Sequence, residues 1–250
     1  MSRVIDCFMA HTELELIALR IHTLRDVVNQ FVCVEGTTTH SGLPRGLIYP
    51  AIRAAFPDIP LICHVTELPS PSPDRWLPER MQRNAMLPAL SGVAASDDLV
   101  MMSDADEIPD PNHVRHIGTH WQACYLYYLN AYFHSEWPGT VTVPYAELQF
   151  TTPAGWRAQN GRLPRIHGGW HFSYQGGVAT MQQKLRSFGH AEYDIPVVHA
   201  GLVAQRARLQ DPFGRDGNQS QGRIVPIDER FPRYLREHPE RFPGMIAALP

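Results

Sequence analysis

The stretch "DDLVMMSDADEIPDP", residues 97–111, carries an apolar run out of an acidic start and then sets Asp104, Asp106 and Glu107 within four positions. Ionised carboxylates so close repel one another, so a folded chain keeps them where water, a helix cap or a cation offsets the repulsion. What precedes the stretch decides the fold. "RVIDCF" (3–8) reads as a strand, and Leu14, Ile17, Ile21, Leu24 and Val28 then recur at the spacing of an amphipathic helix. The pattern repeats with a strand at 30–35, a helix near 46–56, a strand at 60–65, a helix near 78–92 and a strand at 98–103. Alternating β and α units predict an α/β fold with a mostly parallel sheet covered on both faces. After residue 120 the texture becomes aromatic and β-branched ("CYLYYLNAYFHS", "TVTVPYAELQF"), which favours antiparallel strands and a mixed second half. "GVATMQQKLRSF" reads as a helix, residues 209–223 as a loop, and "FPRYLREHPERF" as a closing helix interrupted at Pro239. The expectation is one domain over 1–250, with halves of different texture at 1–110 and 111–250.

The composition removes several function classes. In 250 residues with 44% hydrophobic content and a formal charge of −3, the basic residues are scattered, so polyanion or nucleic-acid binding is not expected. The first twenty residues carry charges throughout, and no stretch reaches the ~18 apolar residues of a membrane span. A cytoplasmic polypeptide is expected. Cys7, Cys33, Cys63 and Cys124 each sit in an apolar run without CxxC spacing and read as buried free thiols.

Asp104 lies just past a strand, where open α/β sheets bind ligands. If the backbone stays extended, Asp104 and Asp106 point the same way past the small Ala105, and two such oxygens suit a hard divalent cation that also meets phosphate oxygens. The other reading is that Asp106 or Asp110 caps a following helix, helped by Pro109 and Pro111. Two enzyme classes use an apolar strand ending in DxD. Haloacid-dehalogenase-like phosphotransferases would use Asp104 as nucleophile, but three βα units precede the motif here and no later strand ends in an acidic pair. Nucleotide-sugar glycosyltransferases of GT-A type match the order of elements better. A non-catalytic sugar-binding protein is the third alternative.

Several blocks together resemble glycosyltransferase family 17, whose animal members add N-acetylglucosamine to N-glycans. They are "ELELIALRIHTLRDVVNQFVCVEGTTTHSGLPRGL", "SDADEIP", "WPGT", "GGWHFSY" followed by "KLRSF", and the tail. The resemblance implies a GT-A-type fold with a nucleotide-sugar-binding half at 1–110 and an acceptor-side half at 111–250, and an inverting transfer from UDP-N-acetylglucosamine to a sugar hydroxyl of a glycan acceptor. Mn²⁺ or Mg²⁺ would hold the donor diphosphate and stabilise the charge on the leaving UDP.

Other residues take their places around that expectation. His171 in "GGWHFSY" is flanked by glycines that allow close backbone approach, so it joins Asp104 and Asp106 as a candidate metal ligand, unless it is a structural histidine. Asp104 on the ribose, Glu35 at the end of the second strand, Arg83 in "PERMQRNAM" and Lys184 on the helix after "GGWHFSY" are candidate donor contacts; a turn residue and exposed helix faces are the rival readings of the last three. An inverting transfer needs a carboxylate base. Glu192, following the "KLRSFGH" segment, is the first candidate and Glu107 its rival. His113, His116 and His120 lack a completing partner for zinc and read as surface. Trp76, Trp137, Trp156 and Trp170 are either core or a stacking platform for sugar.

Overall fold

The computed structural model describes residues 2–69, 72–189, 191–213 and 221–250. Val4–Ala10 form β1, buried along its whole length because the strand lies inside a sheet with cover on both faces. There follow α1 (Leu14–Leu24), β2 (Gln30–Gly36), α2 (Tyr49–Ala55), β3 (Leu61–Thr66), α3 (Leu77–Asn84), α4 (Met86–Leu90) and β4 (Leu99–Asp104). β1 pairs in parallel with β2 and β4, and β2 with β3. The helix expected over 78–92 is two helices with the break at Ala85. Pro88 explains it, having no amide for the carbonyl of Asn84.

The second half contributes β5 (Glu107–Ile108), β6 (Gly118–Leu126), β7 (Ala131–Pro144), α5 (Pro153–Ala158), β8 (Arg165–Ser173), α6 (Val178–Ser187), α7 (Pro196–Arg208), β9 (Arg223–Ile224) and α8 (Arg233–Glu237). A short 3₁₀ turn, Pro239–Arg241, closes the tail beyond α8. One sheet runs through both halves in the order β3-β2-β1-β4-β7-β6-β8-β5, with β9 on β7. Pairing is antiparallel at β4–β7, β6–β7 and β5–β8, and parallel at β6–β8. This is the GT-A-type α/β arrangement expected, parallel in the first half and mixed in the second. Of the loop expected at 209–223, residues 214–220 lie outside the described residues.

Side chains of β1 alternate between two cores. Val4 and Phe8 face α1 and α8, while Ile5, Cys7 and Met9 face α3 and α4. Asp6 falls on the α1 side, where it meets Arg20, and both side chains are fully buried. Arg20 stands on the same helix face as Leu16, Ile17, Ile21 and Leu24, so the amphipathic stripe itself drives the guanidinium inward. It donates to both oxygens of Asp6 (2.7 and 2.5 Å), to Ser103 Oγ (2.6 Å) and to the carbonyls of Asp104 (3.1 Å) and Glu107 (2.8 Å). Two further expectations change. His120 is not on the surface but buried in β6, bonded to Thr142 Oγ1 at 2.9 Å. Cys7, Cys33 and Cys124 are buried free thiols, whereas Cys63 on the outer strand β3 is only half-buried.

Removing one partner of a desolvated ion pair leaves the other charge buried, at a cost of about 3–5 kcal/mol. Arg20→Met should therefore lower the urea midpoint by an amount equivalent to about 3–5 kcal/mol, and Asp6→Asn by a comparable amount. Arg20→Met together with Asp6→Leu should recover part of the loss, which equilibrium unfolding of the three variants measures.

Candidate active site

The strand order reverses at β1, which lies between β2 and β4, and open α/β sheets bind ligands in the crevice beyond such a switch point. A cavity of about 420 Å³ opens there. His11, just past β1, and Asp104 and Asp106, past β4, line it together with Trp137 from β7, His171 from β8 and Lys184 from α6.

The acidic stretch does not stay extended. Ala105 and Asp106 form a turn between β4 and β5, so Asp104 and Asp106 do not point the same way by strand alternation. The turn is held by the Ala105 amide on the Met9 carbonyl (3.1 Å), the Phe172 amide on the Asp106 carbonyl (2.9 Å), and the two carbonyl contacts from Arg20. Asp104 accepts from Arg83 (2.9 Å) and lies 3.7 Å from Arg157. Burial pushes its carboxyl up, but the two guanidinium groups outweigh that and hold it well below the usual carboxylate range. Asp106 Oδ2 accepts from Lys184 Nζ at 2.9 Å and lies 3.8 Å from His171 Nε2. Burial disfavours the Lys184 ammonium, yet Asp106 raises it well above the ordinary lysine range. His171 is lowered from its ordinary value by burial, against the pull of Asp106 and Glu107.

The residues that could hold a divalent ion of the kind expected at DxD are Asp106 and His171, whose carboxylate and imidazole lie 3.8 Å apart on the cavity wall. The fit extends to charge, since the protein already puts an ammonium beside Asp106. Asp104 does not join them. Asp104, Asp106 and His171 are not within 4.8 Å of one another, and among the described residues the trio meeting that distance is Cys33, Glu35 and Cys63. In that trio Glu35 is already committed, as described next.

The other sequence candidates are dispersed. Glu35 is fully buried and away from the cavity, accepting from Arg45 (3.0 Å) and from the amides of Ile48 (2.9 Å) and Tyr49 (2.7 Å). It ties the loop after β2 to the start of α2. Arg83 is buried between Glu79 and Asp104, positioning the motif from behind. Glu107 is buried with both oxygens occupied: Arg157 donates to each (2.9 and 2.6 Å), Trp137 Nε1 to Oε1 (2.8 Å) and the Asp104 amide to Oε2 (3.2 Å). A carboxylate so engaged orients its neighbours. Glu107 does not line the cavity. Glu192 does not line the cavity; its side chain, 37% exposed, pairs with Arg75 at 2.8 Å.

The glycines of "GGWHFSY" serve packing. Gly168 and Gly169 adopt φ of +138° and +101°, and a Cβ on Gly169 would lie 2.5 Å from the Ile108 carbonyl. They permit the bulge that sets His171 opposite Glu107 in register. Trp137 stacks on His171 with centroids 4.1 Å apart and, like Trp76, lines the cavity; Trp170 is core and Trp156 packs on the α3–α4 side.

The sequence profile of glycosyltransferase family 17 matches residues 1–213. The chain belongs to glycosyltransferase family 17. It is therefore a glycosyltransferase, and its cavity is the candidate active site of a family 17 enzyme. Among curated protein sequences none matches it significantly. Slight structural similarity extends to a glucosyl-3-phosphoglycerate synthase from Mycobacterium tuberculosis in complex with Mn²⁺, UDP and phosphoglyceric acid (TM-score 0.38, 11% identity, 94% of this chain and 91% of that one). A galactosyltransferase in complex with donor and acceptor sugar analogs gives a TM-score of 0.33 at 10% identity, over 99% and 97% of the two chains. Among the described residues no helix is long and apolar enough to cross a membrane.

Two positions on the cavity wall of this family 17 chain escaped the sequence reading. Arg157 reaches Glu107 and Asp104 from α5 without any local motif, and His11 lines the cavity with its ring largely enclosed. Burial, with smaller contributions from Arg45, His40 and Lys184, lowers His11 from 6.5 to about 3. Since the folded pKa lies below the unfolded one, the unfolded chain takes up this proton first as pH falls. His11 thus contributes stability that is full above 6.5 and is lost as the pH falls toward 3. His11→Asn should lose less in thermal midpoint than the wild type between pH 7 and pH 4, as differential scanning fluorimetry across that range would register.

Proposed function

We propose that the protein is a metal-dependent, inverting N-acetylglucosaminyltransferase that takes UDP-N-acetylglucosamine as donor and a sugar hydroxyl of a glycan or glycoconjugate as acceptor. The observation that carries the metal and diphosphate part is the grouping of Asp106, His171 and Lys184 on one wall of the switch-point cavity. The sugar and the uracil rest on family membership.

In this reading Asp106 and His171 hold Mn²⁺ or Mg²⁺, which when bound supplies positive charge to the departing diphosphate. Lys184 adds a second cation able to pass from Asp106 to a phosphate oxygen, because its ammonium is within reach of both the carboxylate and the open cavity. Arg83 and Arg157 keep Asp104 ionised and fixed, so that it can accept from donor hydroxyls. Glu107 locks Arg157 and Trp137, and Trp137 in turn fixes the plane of His171 by stacking. A phosphotransferase using Asp104 as nucleophile is less well supported: a carboxylate facing two guanidinium groups is a weak nucleophile. Turnover separates the proposal from a sugar-binding protein without activity.

UDP release from UDP-N-acetylglucosamine should require added Mn²⁺ or Mg²⁺ and stop with EDTA. Asp106→Asn should reduce it by at least about 10²-fold while the protein still unfolds in one cooperative thermal transition, on the scale of losing one preorganised electrostatic contact. Lys184→Met should weaken UDP binding in calorimetry roughly tenfold, the size of one charge-assisted hydrogen bond. Full UDP release by exhaustively chelated protein contradicts the metal, and tighter binding of GDP than of UDP contradicts the donor.

A further inference from the structure

We infer that Cys33, Glu35 and Cys63, none of which lines the cavity, form a separate cation site on the outer flank of the sheet that takes a soft divalent ion of the zinc class. Cys33 and Cys63 are register partners on the parallel strands β2 and β3, so their side chains leave the sheet on one face, and Glu35, two residues on from Cys33, shares that face. The two sulfurs and a Glu35 oxygen all lie within 4.8 Å of one another. Around one tetrahedral ion, with bonds of about 2.3 Å to sulfur and about 2.1 Å to oxygen, such atoms stand about 3.6–3.8 Å apart. Small side-chain rotations close the set.

Glu35 keeps its present bonds when the ion enters. Its Oε2 accepts from Arg45 (3.0 Å) and the Ile48 amide (2.9 Å), its Oε1 accepts from the Tyr49 amide (2.7 Å), and the Cys63 thiol lies 3.8 Å from Oε1. A carboxylate offers about four lone-pair sites, and the thiol faces the fourth. Zinc-class ions bind thiolate, so Cys63 gives up its proton on coordination and the place it held on Oε1 passes to the ion. One ion is taken up, two metal–sulfur bonds and one metal–oxygen bond form, and two thiol protons go to solvent; no electron moves. The charge also closes. Arg45 already matches Glu35, so two thiolates and a divalent ion add no net charge to a buried place. β3 ends the sheet and Cys63 on it is half-buried, which gives the ion a short path from solvent and a water as fourth ligand.

Two thiolates select against the hard ions that Asp106 and His171 would take, so the molecule sorts cations by softness between its two sites. The role of this one is structural. An ion here joins β3 to β2 through side chains as well as through the ladder, and it braces Glu35, whose partner Arg45 donates to the carbonyls of Ala10, His11 and Gly36 at the ends of β1 and β2. Ala10 and His11 line the cavity. Of the other thiols, Cys7 faces the α3–α4 core, and Cys124 lies 3.6 Å from His171, the rival place for a thiolate ligand.

The test titrates Cd²⁺ into the reduced full chain and reads the ultraviolet charge-transfer band of cadmium–thiolate bonds in wild type, Cys33→Ala, Cys63→Ser and Cys124→Ala. Wild type and Cys124→Ala should both hold one ion on two thiolates, with two protons released per such ion in weak buffer. Cys33→Ala and Cys63→Ser should each lose at least about 100-fold in affinity, beyond the roughly 10- to 100-fold that loss of a supporting contact brings. Zn²⁺ should raise the thermal midpoint further in wild type than in Cys63→Ser, as an ion bound to the folded state does. No band in reduced wild type, a band of wild-type affinity in Cys63→Ser, or loss of the band in Cys124→Ala alone overturns the site. If Cys33→Ala does not fold, the Cys63→Ser comparison and the wild-type proton count decide.

Discussion

The buried Arg20 guanidinium is the constraint on which the rest of the molecule depends. Taking an arginine out of water costs several kcal/mol unless its charge is matched and its donors are used, and here Asp6 supplies the charge while Ser103 and two carbonyls take the remaining donors. The two carbonyls belong to Asp104 and Glu107, which bracket the acidic turn. Helix, central strand and motif are thus fixed by one side chain, and the turn cannot relax without exposing a buried charge. The ion pair brings little net stability of its own; what it supplies is a defined shape for the backbone that carries the carboxylates.

Above the turn a second buried charge organises the side chains. Glu107 lies on β5, opposite His171 on β8, and its oxygens collect Arg157, Trp137 and the Asp104 amide. Groups that face the cavity at this end are held in pairs. Arg157 limits Asp104, Trp137 limits His171, and Lys184 balances Asp106. Preorganisation of this kind is what lets charges act on a reacting group without first reorganising.

Much of this was legible in the chain. The alternation of apolar strands and amphipathic helices through residue 104 gave the parallel half, and the aromatic, β-branched stretches after 120 gave the antiparallel pairing of β6 with β7. The two aspartates of "SDADEIP" and the histidine of "GGWHFSY" do line one cavity. What failed were contacts made across long separations. Extended geometry was expected at Asp104–Asp106, but a turn forms because Arg20 and Phe172 draw on its carbonyls. Glu192 was chosen for following α6 in the chain, and the chain after α6 leads it to Arg75 and solvent. α7 gave no apolar stripe, with Leu202 as its buried residue. Asp6 and Arg20 did leave a trace: opposite charges at the apolar positions of neighbouring elements, where charge survives only in pairs.

The two residues of β5 make the acidic turn part of the sheet rather than a loop hung on its edge. Its length is therefore counted in hydrogen bonds. Between β4, in register with β1, and β5, in register with β8, stand Ala105 and Asp106. Adding or deleting one residue there would either break a ladder or turn Glu107 outward and its neighbour inward, exchanging a buried anchor for a cavity-facing group. Drift of this segment among descendants of the chain is thus confined to substitution, and even a chemically gentle insertion would act as a reversal of inside and outside.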